Sequence, residues 1–550
     1  MRRVTLVAFL LVLVLAFAGC TTNPPTTNTT TTSSTPVTST TPAATGGPVT
    51  IGTTDTITSL DPGNAYEYLS INILQMTEGT LLVNKPDSAD VVPELAAAAP
   101  VVTPDGLTYT FQLKPGVKYA DGTPIKASDF LWALERNSGK VGGKEGGPGF
   151  LIYDSPGVDL ANSSAVDATG TLVLKLNHPG VFFNSLLVFP NFAPLPQAKY
   201  TKSAWVEPTG TTSNLPVSSG PYQVSEYRQG EFIKLTKNPN YSGPRAPKTD
   251  TITIKFFSTS SSLASALKNG EIDVAYRAFT PDEWKDLKAA GGNVKTSEAP
   301  SPSPARYLQM NTNKSPTSNK AVRQAIAYSL DRDEINSVVY SGTVSPLYGL
   351  IPSGLLGHKE AFKDKYGAKP NVAQVKALME SAGYSTSNKL KVDFWFNSDG
   401  HYGDTEDELA TVIKSQLEKT GYFTVTLQSK PWAEYKVDFR ASSYALFLLG
   451  WFPDYFDPDD YISPFLTAGG ARTDGTFYVN EQLQSLIDQE QGEADSAKRA
   501  QTLGQIEDIA AQDAFKVPLF VGSQQAAYRS GVSGVTLSPT SVFPYYTLAK

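Results

Sequence analysis

Tyr444-Ala-Leu-Phe-Leu-Leu-Gly-Trp451-Phe-Pro-Asp454-Tyr-Phe-Asp-Pro-Asp-Asp-Tyr461-Ile-Ser-Pro-Phe465 is the most informative stretch of this 550-residue chain. From Tyr444 to Leu449 it is apolar and reads as a buried strand. Pro453 and Pro458 then stop regular structure. Between Gly450 and Phe465, six of sixteen residues are aromatic and four are aspartate. Rings and carboxylates therefore sit on a loop at the end of a buried strand, a common ligand position in α/β proteins. Rings offer apolar contact, and a buried aspartate can pair with a cationic group. Composition alone favours the reading of an ordinary packed loop with solvated aspartates. A calcium loop does not match, because the EF-hand spacing and its turn glycine are missing.

Outward from this stretch, strand and helix signals intermix. Leu107–Leu113 and Thr251–Phe256 alternate with period two, and Leu172–Leu176, Phe232–Leu235, Val392–Phe396 and Phe423–Leu427 read similarly. Ser128 is the expected cap of a helix carrying Phe130, Leu131 and Leu134. Ser318 or Asn319 is the expected cap of one carrying Val322, Ile326 and Leu330. Thr405 and Glu408 have capping-box spacing before Leu409, Val412, Ile413 and Leu417, with Gly421 as the stop. Leu503, Ile506 and Ile509 share one helical stripe. The chain is mixed α/β, and these apolar stripes are core by default.

Net charge is −7, and near −9 once Arg2 and Arg3 are removed, so a broad nucleic-acid surface is not expected. The one cysteine, Cys20, excludes an internal disulfide and a thiolate-rich zinc site. Met1-Arg2-Arg3 followed by an apolar run to Ala18 has the pattern of a secretory signal, too short for a permanent span. It ends Phe17-Ala18-Gly19-Cys20, similar to a lipoprotein signal in which the cysteine receives the lipid. Residues 21–47 contain thirteen Thr, three Ser and four Pro and no charge, which reads as a solvated stalk. Folded structure is expected from Pro48.

Catalytic signatures are missing. There is no G-x-S-x-G, H-E-x-x-H, G-x-x-x-x-G-K-[ST] or G-x-G-x-x-G. A glycoside hydrolase-like carboxylate pair needs no local motif and stays open as an enzymatic alternative, without positive support.

Ordered motifs add to this reading. Ser59-Leu-Asp-Pro62, Pro93-Glu-Leu-Ala96, Asp105-Gly-Leu-Thr-Tyr-Thr-Phe111 and Leu113–Pro124 are followed by Ala127-Ser-Asp-Phe130. Then come Ser219-Gly-Pro-Tyr222, Lys237-Asn-Pro-Asn-Tyr241, Gly270-Glu-Ile-Asp273, Leu308–Thr312, Val322-Arg-Gln-Ala-Ile326 and Asp331-Arg-Asp333, and Gly450-Trp451 with Asp454 closes the series. In this order, from about residue 50 to about 525, the chain resembles the extracytoplasmic solute-binding proteins of family 5, the peptide/nickel/oligosaccharide class that feeds ABC importers.

The resemblance implies an α/β, two-lobed periplasmic-binding-protein-like type II fold with an extra inserted domain and a ligand cleft between lobes. Residues 1–19 would be the signal peptide and 20–47 the lipidated cysteine and stalk. Domain I would take 48–85, 215–300 and 525–550, domain II the insertion 86–214, and domain III 301–524. It implies binding, not catalysis: an oligopeptide or dipeptide is captured by lobe closure and passed to permease subunits. An oligosaccharide held by aromatic stacking is the alternative ligand. No cofactor or metal is expected, and a monomer attached to the cell membrane by its lipid is. Asp454 matches the aspartate that pairs with a peptide's α-amino group in relatives, with Trp451 beside it. Asn64, Tyr66 and Tyr68 are expected to approach the cleft from domain I, Met310 and Asn311 to lie near the domain crossing, and Trp432 to face the cleft. Leu448 is apolar where a basic residue for a ligand carboxylate might be sought, and Arg440 is the possible substitute.

Overall fold

The computed structural model describes residues 46–154, 156–207, 215–277 and 279–550, with the backbone alone at 145 and 300–303. The expected signal segment, Cys20 and the stalk up to residue 45 lie outside these described residues. Structure begins at Gly46, two residues earlier than expected, because Gly46 N–H bonds Lys248 O and Gly47 N–H bonds Lys550 O.

The chain opens with β1 (Val49–Thr53) and helix α1 (Tyr68–Thr77). A segment built on β2 (Thr108–Gln112), α2 (Ala127–Ser138) and β3 (Thr171–Lys175) follows, with β2 and β3 antiparallel in a small four-stranded sheet. The chain then returns as the meander β4 (Tyr222–Arg228), β5 (Phe232–Lys237) and β6 (Thr251–Phe256), then α3 (Ser260–Asn269) and β7 (Val274–Tyr276). β1 pairs in parallel with both β6 and β7.

The long strand β8 (Val294–Met310) is followed by α4 (Lys320–Tyr328), β9 (Leu390–Asn397), α5 (Glu406–Lys419), β10 (Phe423–Lys430), α6 (Trp432–Arg440) and β11 (Leu446–Trp451). Helices α7 (Glu481–Gly492) and α8 (Ser496–Asp513) precede the second long strand, β12 (Lys516–Arg529). One eleven-stranded sheet runs β4-β5-β6-β1-β7-β12-β8-β11-β9-β10, with a short strand at Ser345–Pro346 pairing β12. The antiparallel pair β8–β12 is thus the seam between the two halves. Its register shifts between Pro300 and Ala305, where three prolines interrupt the donors of the ladder. There Gly522 lies so close to Pro304 that an added Cβ would sit 2.8 Å from the proline Cδ.

Three apolar cores follow from these elements. Val49, Ile51, Ile252, Ile254 and Val274 form one; Tyr109, Phe111, Leu172, Leu174, Phe182 and Phe183 a second; Leu308, Val322, Ile326, Phe394, Ile413, Leu448 and Ile506 a third. The alternating stretches are strands because one face of each meets such a core. Two expected caps are replaced. Ser128 binds Asp167, and Asp129 accepts the Lys126 N–H instead. The Thr405 side chain makes no cap bond, and its neighbour Glu406 turns inward to Arg306. Asn319 does cap α4, accepting from Ala321 N–H.

Candidate functional site

The segment after β11 is held by three of its four aspartates. Asp457 accepts the Asp459 N–H and takes both Nη atoms of Arg499 from α8, at 3.0 and 2.5 Å. Asp459 accepts from Tyr455 Oη at 2.6 Å and Gln491 Nε2 at 3.0 Å. Asp460 Oδ2 accepts the Asp454 N–H at 2.8 Å and Trp451 Nε1 at 3.3 Å. With these bonds to the loop's own groups and to α7 and α8, the three set its shape.

The fourth aspartate reaches out of its own lobe. Asp454 Oδ2 accepts the hydroxyl of Tyr66 at 2.9 Å, across 388 residues of sequence. Tyr66 stands just before α1. It is positioned by Asp61, which accepts the Gly63 N–H and is clamped by Arg136 of α2 at 2.9 and 2.6 Å, with both ionic side chains fully buried. Phe150 meets the Tyr66 ring edge-on at 5.5 Å. Burial raises the Asp454 carboxyl to about 7, partly offset by the Tyr66 hydroxyl. Burial, then the charge of Asp454, raises the Asp460 carboxyl well above the usual carboxylate range. Neither carboxylate has a basic partner among the described residues.

Two more contacts flank this point. Phe452 lies 6.0 Å from the ring of Tyr68, and the Arg277 guanidinium stands 4.0 Å from the Tyr68 ring and 5.1 Å from Phe452. Arg277 has φ +54 at the end of β7, a left-handed conformation uncommon for a residue with a side chain. On the other side Tyr455 stacks on Phe182 of the inserted segment at 5.2 Å and 11°, and Val181 N–H bonds Gln491 O at 3.0 Å.

The expected residues separate into two groups. Asp454, Tyr66, Tyr68 and Trp451 converge. Trp432 lies half-buried beside them, its ring flat against His401 at 3.9 Å, with Tyr402 edge-on. Asn311 is not with them: it is fully buried, with Nδ2 donating to Ser442 Oγ and Tyr444 O and Oδ1 accepting from Asn313. Met310 is core. Asn64 is tied to Glu207 at 3.0 Å, so its amide is engaged in the first lobe. Arg440 is exposed at the end of α6, and its charge acts on Tyr66.

Sequence reasoning passed over Arg277, His401, Tyr402, Tyr455 and Phe182. For Tyr455 a signal existed, its place in the aromatic run. For Arg277 none did, since its neighbours come from Tyr68 and Phe452, both distant in the chain.

Comparisons with known proteins bear on the family. The oligopeptide-binding protein OppA of Bacillus subtilis is 26% identical over 505 residues, covering 88% of this chain and 89% of OppA. The glutathione-binding protein GsiB of Escherichia coli (strain K12) is 25% identical over 509 residues, covering 90% and 93%. Among solved structures, the ABC transporter-associated periplasmic binding protein DppA of Helicobacter pylori, in complex with the peptide STSA, superposes with a TM-score of 0.79. It is 23% identical, covers 92% of this chain and 98% of DppA, and bears on the fold alone. The family pattern "Bacterial extracellular solute-binding proteins, family 5 Middle" matches residues 90–473. This two-lobed chain, with its ligand cleft, therefore belongs to the family 5 extracellular solute-binding proteins.

Proposed function

We propose that this protein is the extracytoplasmic receptor of an ABC import system, that it holds a short peptide by its free amino terminus between the lobes, and that it delivers the peptide to permease subunits. The observation that carries this reading is Asp454, a half-buried carboxylate facing Tyr66 of the opposite lobe and lacking a basic partner among the described residues. A ligand ammonium supplies the missing charge and a charge-assisted hydrogen bond. Oligopeptides and glutathione, named in the relatives, each carry a primary ammonium. Exposed Arg440, whose charge acts on Tyr66, is the candidate partner for a ligand carboxylate.

Strand order supports a first lobe drawn from 48–85, 215–300 and 525–550, an insertion at 86–214 and a second lobe at 301–524. The N-terminal sequence supports export and lipid attachment at Cys20. Incorporation of labelled palmitate, abolished by Cys20→Ser, tests the anchor.

The ligand is tested by a thermal-shift screen of free peptides, their N-acetylated forms and glycans. A ligand at 100 times its Kd adds about 2.7 kcal/mol. Free peptides should shift the protein, acetylated ones should not, and peptides should be recovered intact. Shifts with glycans alone would replace this reading with the oligosaccharide one, for which the His401–Trp432 stack offers a ring surface. Sustained cleavage of a peptide or glycan would overturn the receptor reading.

A further inference from the structure

Asp460 is fully buried and its Oδ1 has no hydrogen-bond partner among the described residues, while its Oδ2 is bound to the backbone amide of Asp454. A carboxyl group shut off from water and half-buried Asp454 are thereby joined in one turn without a cation between them, a situation in which both do not ionise readily. The charged groups around them do not neutralise them. Arg499 is committed to Asp457 and Glu490. Arg306 of β8 is committed to Glu406. Arg440 of α6 acts on Tyr66 and makes no ion pair among the described residues. Tyr66 donates to Asp454, Tyr455 to Asp459 and Tyr307 to Leu350 O. Asp459 and Tyr461 also face Asp460.

We propose that the Asp454–Asp460 pair retains a proton until a ligand arrives and that binding exchanges this proton for the ligand's ammonium, so that affinity rises from acid toward neutral pH. This rests on the peptide-binding reading above. No redox partner is needed: one carboxyl O–H bond breaks, its proton passes to solvent, and the carboxylate left behind accepts N–H bonds from the ammonium. The Asp454 carboxyl, raised to about 7, places the change in the range where a peptide's amino group is still protonated.

The test has two arms on the full chain. In the ligand-free protein, infrared spectroscopy should show a protonated-carboxyl band that titrates near pH 7 and is missing from Asp454→Asn. Tyr66→Phe removes the donor that favours the carboxylate and should move this midpoint upward. In calorimetry with trialanine, or the tightest free-amine peptide of the screen, heats in buffers of different ionisation enthalpy should report release of about one proton at pH 5.5 and about half a proton at pH 7. Affinity should be roughly 15-fold tighter at pH 7 than at pH 5.5. A carboxyl band whose titration midpoint lies below pH 5, or peptide binding without proton release, would overturn this inference and leave the peptide reading standing. If no free-amine peptide binds, the reading falls and the exchange with it.

Discussion

Tyr455→Ala should weaken ligand binding without touching the ligand. Tyr455 comes from the second lobe, yet only 7% of its surface is exposed and its ring belongs to the core of the inserted segment, stacked on Phe182. Parting the lobes would return that ring to water. Burying a side chain of this size is worth about 1.5–3 kcal/mol, and a stacked pair adds about 0.5–1.5 kcal/mol. Truncation should therefore remove about 2–4 kcal/mol from the closed form and little from the open one. Where the free protein is mostly open, this appears in full as a rise in Kd, roughly 30-fold at the lower end. Tyr455→Phe keeps the ring and loses only the bond to Asp459, so about 1 kcal/mol is expected. The assay is calorimetric affinity for the captured peptide, with small-angle scattering to follow closure and urea unfolding to follow stability. If Tyr455→Ala changes affinity less than threefold and instead lowers the unfolding free energy by 2–4 kcal/mol, the ring holds the fold and not the closed state.

Three further outcomes follow from buried groups near the site. Arg306→Ala strands the fully buried Glu406 carboxylate and should cost about 3–5 kcal/mol in urea unfolding, whereas Glu406→Gln, which keeps an acceptor, should cost less. Gly450→Ala places a Cβ 2.6 Å from both Arg306 Nη1 and the Tyr402 ring, so stability should fall by about 1–3 kcal/mol and peptide affinity with it. Burial, then Arg306, lowers His401 to about 4, against the weaker pull of Asp399, with Lys436 and Arg277 adding to the lowering. Its stabilising contribution is then complete above the unfolded value of 6.5 and is lost as pH falls through the folded value near 4. Wild type should lose up to about 3 kcal/mol relative to His401→Phe between pH 6.5 and 4, measured by denaturant unfolding at each pH; parallel curves would show that His401 titrates normally.

Much of the fold was legible along the chain because its signals are local. Thr251–Phe256 alternates and is a strand with those limits; Val322 and Ile326 share a helical face and are buried. Helix caps were harder, because the side chains nominated for capping had long-range alternatives. Ser128 found Asp167, and Glu406, beside Thr405, found Arg306 a hundred residues away. Asn311 was a lining candidate from its family position near the domain crossing, but Ser442 and the Tyr444 carbonyl engage its amide.

The aromatic and acidic run at Gly450–Phe465 stood out as a candidate, since rings, carboxylates and prolines after a buried strand are all local properties. Which aspartate was free could not be read from them. Four carboxylates within seven positions are equivalent on paper. They become different only when Arg499, Gln491 and the loop's own amides claim three of them and Tyr66 arrives opposite the fourth. Local patterning determined a mixed α/β chain with a charged aromatic loop, and the ordered motifs, by their resemblance to family 5, pointed to a solute-binding fold. The division of labour within that loop was decided by tertiary structure, because burial and the loss of water set the cost of each charge, and burial is a property of the assembled lobes.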